Sequence, residues 1–131
     1  MHKISIKSSQ RTEIIDITGQ VQAVIQQKNI SSGLAVVYCP HTTAGISVNE
    51  NADPDVKTDM NYFLNKLIPQ DQAFEHSEGN SDAHIKSSLI NSSQTFIIEE
   101  GKIQLGTWQG IFFMEFDGPR DREFWVKITA Y

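Results

Sequence analysis

A single cysteine, Cys39, stands among 131 residues, so the chain can form no disulfide within itself. No apolar stretch reaches the roughly 18 to 20 residues needed to cross a bilayer, and none has the form of a signal peptide. A cytoplasmic location with no membrane partner is therefore expected. Basic residues are also scarce, because 11 Lys and Arg face 16 Asp and Glu and leave a formal charge of −5. That balance speaks against a nucleic-acid partner, since phosphate backbones are gripped by concentrated Lys and Arg. No HExxH and no CxxC pair occurs, so two familiar zinc signatures are missing. The length suits one domain, residues 1–131, and is too short for a TIM barrel of about 250 residues.

Periodicity supplies the elements. Ile4 and Ile6, then Ile15 and Ile17, alternate with polar neighbours and read as two strands of a hairpin. Val21, Val24 and Ile25 recur at helical spacing, with Thr18 as N-cap and Gly33 beyond the end. The run Leu34–Tyr38 is a strand, which Gly45 to Val48 would continue after a kink at Pro40. Asp53 followed by Pro54 starts a second helix, with Val56, Met60, Phe63, Leu64 and Leu67 as its buried face until Pro69. A polar loop from Gln70 to Asp82 leads to a short helix capped by Asn80 or Ser81, its buried stripe Ile85 and Leu89. The last third reads as antiparallel sheet: Thr95–Glu99 and Lys102–Leu105 about Glu100 and Gly101, then Ile111–Phe116 and Phe124–Ala130 about Asp117, Gly118 and Pro119. Ile111–Phe116 is apolar on both faces except at Glu115, which suggests cover from a neighbouring subunit. Strands and about three helices are thus expected, with antiparallel sheet in the last third.

The segment His41–Glu50, HTTAGISVNE, delivers a polar cluster at a strand end, where a rigid scaffold can position residues that packing does not need. It is either such a site or a solvated turn. Three histidines, His41, His76 and His84, lie in polar, turn-rich contexts. Converging, they would suit zinc or another divalent ion with an open coordination position; apart, they are ordinary surface histidines. Gly79, Asn80 and Ser81 before a helix leave backbone N–H groups for an anion. Arg120, on the turn of EFDGPR, is the nearby cation, free to grip that anion or to pair with Asp117 or Asp121. Glu115, on an apolar strand, needs a partner such as Arg120 or an imidazole. Cys39, ending an apolar run, reads as a buried and inert thiol. Trp108 is most simply core, and Thr107 and Gln109 are candidates for lining a pocket.

Taken in order, HTTAGISVNE, NADPDVKTD, His76, NSDAHIKSSL, LGTWQ and EFDGPRDR resemble the YjbQ-like family, also known as secondary thiamine-phosphate synthase enzymes and long uncharacterised. The resemblance runs from about Ser5 to the C-terminus. Its polar motifs fall on His41, Thr42, Asn49, Glu50, Asp55, His76, His84, Gln109, Glu115 and Arg120. It implies an α+β fold with an antiparallel β-sandwich-like core and about three helices, a homotrimer with the pocket near subunit contacts, a metal site on His41, His76 and His84, and catalytic roles for Glu115, Arg120, Glu50 and Gln109. The expected function is metal-assisted action on a small phosphorylated or anionic metabolite, with thiamine-phosphate synthase activity as a secondary transferase reaction. A non-catalytic metabolite- or metal-binding module is the alternative.

Overall fold

The computed structural model describes residues 1–71 and 73–131. Among these residues eight strands and three helices follow one another as β1 (His2–Lys7), β2 (Glu13–Asp16), α1 (Thr18–Lys28), β3 (Gly33–Tyr38), β4 (Ala44–Glu50), α2 (Pro54–Leu67), α3 (Ser81–Ile90), β5 (Ser93–Glu99), β6 (Lys102–Ile103), β7 (Gln109–Glu115) and β8 (Asp121–Ala130). They form two antiparallel sheets, one ordered β1-β8-β3-β5-β6 and the other β2-β7-β4. The α+β, sandwich-like class that the resemblance implies is the observed one.

The inner faces of the two sheets meet over Val37, Phe96, Phe124 and Val126 from the larger and Ala44, Ile46, Ile111 and Phe113 from the smaller, with Ile17, Val21 and Val24 closing one side. Strand side chains alternate in direction, so the odd-numbered residues of β7 face this core and the even ones face away. Phe112, Met114 and Phe116 accordingly pack on the other side with Ala83, Met60 and Leu64 of α3 and α2. One chain thus buries both faces of β7, and the doubly apolar strand does not require a neighbouring subunit.

Several expectations need correction, and most share a cause. β1 and β2 are not a hairpin, because β1 pairs with β8 and β2 with β7. β4 does not extend β3 beyond Pro40; the two strands lie in different sheets, as do β7 and β8. Four short connections therefore carry the chain from one sheet to the other, at residues 8–12, 39–43, 104–108 and 116–120. Turn residues announce that a strand ends but not which sheet takes up the next one.

The helices also differ in detail. Thr18 is the first residue of α1, not its cap: Ile17 is the N-cap, and Thr18 Oγ1 donates to Asp16 Oδ1 at 2.6 Å while accepting from Ile111 N at 2.9 Å. α1 ends before Gly33, at Asn29 in the left-handed region with φ 54°. α2 starts as its sequence requires, with Asp53 Oδ1 accepting from Asp55 N at 2.9 Å and Pro54 in the first turn. Its apolar face is only half used, since Met60 and Leu64 pack inward while Phe63 and Leu67 stay exposed. On α3, Ile85 and Leu89 are exposed and the buried positions are Asp82, Ala83 and Lys86. Trp108 is not core; it is 62% exposed in the turn before β7. Of the expected loop from Gln70 to Asp82, Ser81 and Asp82 belong to α3 and Gln72 lies outside the described residues.

These placements predict unequal costs of truncation. Phe113→Ala should lose about 3–5 kcal/mol, as for a fully buried aromatic, whereas Trp108→Ala should stay within about 0.5 kcal/mol of the parent. Urea unfolding of the two variants is the measurement; equal losses would contradict the burial described.

Candidate functional site

Three of the four short sheet-changing connections, at residues 8–12, 39–43 and 116–120, are drawn together by one buried pair. Glu115 points from β7 into the space between the sheets, and Arg122, two residues before Phe124 on β8, points in from the opposite side. Arg122 Nε donates to Glu115 Oε1 at 2.9 Å, and Nη2 donates to Glu115 Oε2. Ser8 of the first connection donates its hydroxyl to Glu115 Oε1 at 2.6 Å and accepts from Arg120 N at 3.0 Å. Thr43 of the second connection accepts from Arg122 Nη2 at Oγ1, at 2.8 Å, and at its carbonyl oxygen, at 3.3 Å. Asp117 N donates to Glu115 Oε2 at 3.0 Å. Even a methyl group would disturb this packing at Gly118, where a Cβ would stand 2.6 Å from Ser8 Oγ and 2.9 Å from Glu115 Cγ.

Burial alone would raise the Glu115 carboxyl, but the Arg122 guanidinium, the Ser8 hydroxyl and the Asp117 amide outweigh it and hold Glu115 below the usual carboxylate range. Its partner is Arg122, not Arg120 or an imidazole. Arg120 instead turns back on its own turn, Nε donating to Asp117 O at 2.8 Å and Nη2 to Asp117 Oδ2 at 2.9 Å.

Above this pair opens a cleft of about 440 Å³, lined by Pro40, His41, Thr42 and Thr43 from the second connection, Asp117 and Arg120 from the connection at 116–120, Arg122 from β8, and His76, Glu78, Asn80 and His84 from the loop and first turns of α3. All three sequence-predicted histidines and Arg120 therefore share one cavity. His41 takes its place because Pro40 has no N–H for the ladder and the chain leaves β3 there. Its ring then covers the edge of β8 that β3 has vacated: the Glu123 amide donates to Nε2 at 3.0 Å, and the Glu123 carbonyl oxygen lies 3.1 Å from the same atom. Burial, followed by the charge of Arg122, pushes the His41 pKa down and favours the neutral ring. The His76 and His84 rings adjoin edge to face, their centroids 5.3 Å apart.

The histidines share the cleft without forming one ligand shell. Among the described residues no three His, Cys, Asp or Glu side chains are gathered closely enough to hold an ion. Glu50 and Gln109 are register partners at the far end of the β4–β7 ladder, whereas Ala44 pairs with Glu115 at the near end. Six residues of strand, about 20 Å, separate them from the cleft. Gln109 Oε1 accepts from Gly106 N at 2.8 Å, and Asn49 Oδ1 accepts from Glu50 N at 2.7 Å. Asp55 sits in the exposed first turn of α2. Cys39 is buried, which pushes its thiol up to about 11 and leaves it protonated at neutral pH.

Two groups escaped the sequence reading. Arg122 is one, though extending the alternation of Phe124, Val126 and Ile128 back by one step puts it on the inner face. The other is a charged cluster under α3. Arg11 forks onto Asp82 at 3.0 and 2.9 Å, and Lys86, one turn on, reaches Asp82 Oδ2 at 3.0 Å and Asn65 Oδ1 at 2.7 Å. An acid and a base four residues apart were the available signal. The cluster fixes α3 to α2 and the first connection, and so sets where His84 stands.

The model of the family described as UPF0047 protein YjbQ-like matches residues 2–131. A UPF0047 protein of Methanocaldococcus jannaschii is 59% identical over 99% of this chain and 94% of its own length. The UPF0047 protein YugU of Bacillus subtilis is 52% identical over 97% of each. In three dimensions the chain is similar to the crystal structure of an uncharacterised YjbQ/UPF0047 protein of Clostridium acetobutylicum, with TM-score 0.96, 55% identity and coverage of 98% of this chain and 100% of that one. A hypothetical protein of Aeropyrum pernix matches with TM-score 0.94 and 33% identity over 99% and 98%.

The buried pair predicts a defined pH response. The Glu115 pKa is lower in the folded chain, so its contribution to stability is present above the unfolded value of about 4.3 and is lost as pH falls through the folded one. Glu115→Ala should cost about 3–5 kcal/mol at neutral pH by stranding Arg122, with the deficit shrinking in acid. Unfolding midpoints measured across acid pH check this; a deficit independent of pH would contradict it.

Proposed function

The chain belongs to the YjbQ-like family of UPF0047 proteins, and from the cleft it carries we propose that it is a small-molecule enzyme acting on a phosphorylated or otherwise anionic metabolite. One observation carries the reading: His41, His76, His84 and Arg120, far apart in sequence, line a single cleft beside the start of α3. A helix start and a guanidinium suit an anionic group, and imidazoles suit proton transfer or a cation next to it. His41, whose Nε2 faces the Glu123 backbone, would accept a proton at Nδ1 in the tautomer that donates Nε2–H to the Glu123 carbonyl oxygen. Glu115, whose oxygens are taken and which does not line the cleft, orients Arg122 rather than accepting a proton.

The reading includes a divalent ion, zinc by donor type, on His76 and His84, with His41 facing the same space. Such an ion, when bound, would stabilise negative charge on a departing phosphate. The finer reaction carried by the family resemblance is the joining of a pyrimidine diphosphate to a thiazole phosphate with loss of pyrophosphate, as a secondary activity. A cytoplasmic homotrimer completes the reading, and the exposed Phe63, Leu67, Ile85 and Leu89 offer apolar surface for subunit contact. Glu50 and Gln109 stand outside the cleft of their own chain, so a catalytic part for them would require a second subunit. A binding module without turnover is the second reading, favoured because the buried Glu115 and Asp82 carboxylates are both spent on ion pairs and neither lines the cleft.

Metal analysis of protein purified without an affinity tag separates the parts of this proposal. About one divalent ion per chain is expected, lost in His76→Ala and His84→Ala while the fold persists by circular dichroism. Turnover of phosphorylated substrates that falls in the same variants and in His41→Ala would support the enzyme. Tight metabolite binding without turnover under any metal would favour the binding module, and no bindable ion would remove the metal from the reading.

A further inference from the structure

The cleft has a floor as well as a rim, and the floor holds unspent donors. Arg122 is 6% exposed and Thr43 5%, yet both line the cleft. The Arg122 guanidinium is spent along one edge only: Nε and Nη2 go to Glu115 and Thr43, whereas Nη1 has no hydrogen-bond partner among the described residues. Thr43 Oγ1 accepts from Nη2, so the hydroxyl hydrogen must point elsewhere, and it too has no acceptor among the described residues. Two rigid donors, one of them charged, therefore stand together at a largely dehydrated surface. There a hydrogen bond is stronger than in water and costs no reorganisation.

Arg120 compares poorly as an anion anchor. Its side chain is half exposed and is folded onto the carboxylate and carbonyl of Asp117. Solvent screens it, and an incoming anion would compete with Asp117 for it. The negative partner of Arg122, by contrast, lies behind it between the sheets, held there by Ser8 and Asp117 N. The pair is neutral as a whole but presents its positive edge to the cleft.

Resting on the anionic-metabolite reading, we infer that Arg122 Nη1 and the Thr43 hydroxyl form a phosphoryl-oxygen subsite at the cleft floor, and that they rather than Arg120 fix the substrate. A phosphoryl group suits the pair because it offers separate oxygens to two donors, one on β8 and one on the connection at 39–43. Glu115 is then a positioning residue, setting the plane of the Arg122 guanidinium.

Inorganic phosphate and pyrophosphate serve as probes, titrated by calorimetry into the full chain with and without zinc. Thr43→Val keeps the shape and the Arg122–Glu115 pair but removes the hydroxyl, and should weaken binding about tenfold or more. Thr43→Ser should restore it, and Arg120→Ala should have the smaller effect. Guanidinium nitrogen resonances of Arg122 in the unaltered protein should shift on adding phosphate, which keeps the test independent of whether a variant folds. Binding abolished by Arg120→Ala but untouched by Thr43→Val, with Arg122 resonances unmoved, would overturn the floor subsite and leave the anionic-metabolite reading standing. No binding of either probe under any condition would overturn both.

Discussion

The contact between Arg122 and Glu115 is the constraint on which the rest of this structure turns. Each lies on the inner face of a different sheet, where an unpaired charge would be costly enough to oppose folding. Their pairing draws in Ser8, Thr43 and the Asp117 amide, one group from each of three crossings between the sheets. The backbone follows the same pattern, with Ser8 N donating to Arg120 O, Gly118 N to Arg11 O and Phe116 N to Thr43 O. Three crossings that would otherwise be independent loops are thereby locked at one end of the sandwich.

That end is also where the cleft lies, and the coincidence has a physical basis. Away from the crossings the space between the sheets is filled by Ile46, Phe113, Phe124 and Val126, which leave nothing polar to present. At the crossings the strands part, backbone groups leave the ladder, and side chains such as His41 take over their hydrogen bonds. The charged cluster of Arg11, Asp82 and Lys86 fixes α3 against the same region and brings His84 beside His76. As at Glu115, burial would raise the Asp82 carboxyl, but the hydrogen bonds from Arg11 and Lys86 hold it below its ordinary range. The cleft rests on two buried ion pairs, and its shape is as rigid as they are.

Its charge is more balanced than the presence of two arginines suggests. Arg120 is answered by Asp117 and Arg122 by Glu115, so anion recognition depends on which edge of each guanidinium is left free rather than on a positive field. This makes geometry at the cleft floor, and any cation carried by the histidines, the deciding factors for what binds there.

The sequence by itself determined the class of the fold and most of its elements. Alternation in β7 and β8, the Asp53–Pro54 start of α2 and the helical spacing of Val21, Val24 and Ile25 are local signals, set by backbone geometry within a few residues. It also marked His41, His76, His84 and Arg120 as candidates by residue type and position at turns, without deciding whether they converge. What only the tertiary structure decided is which strands share a sheet, and with that the partners of every buried charge. β1 and β2, β3 and β4, and β7 and β8 are consecutive yet lie in different sheets, since burying both faces of β7 outweighs the economy of short hairpins. Arg122 became the partner of Glu115 for that reason, and Glu50 and Gln109 fell at the opposite end of the ladder. Ile85 and Leu89 stayed at the surface because α3 spends its inner face on Asp82 and Lys86, whose opposite charges need each other and Arg11 more than the core needs two more apolar side chains. Periodicity reports which way a side chain points relative to its neighbours in sequence; it carries no information about what will be waiting there.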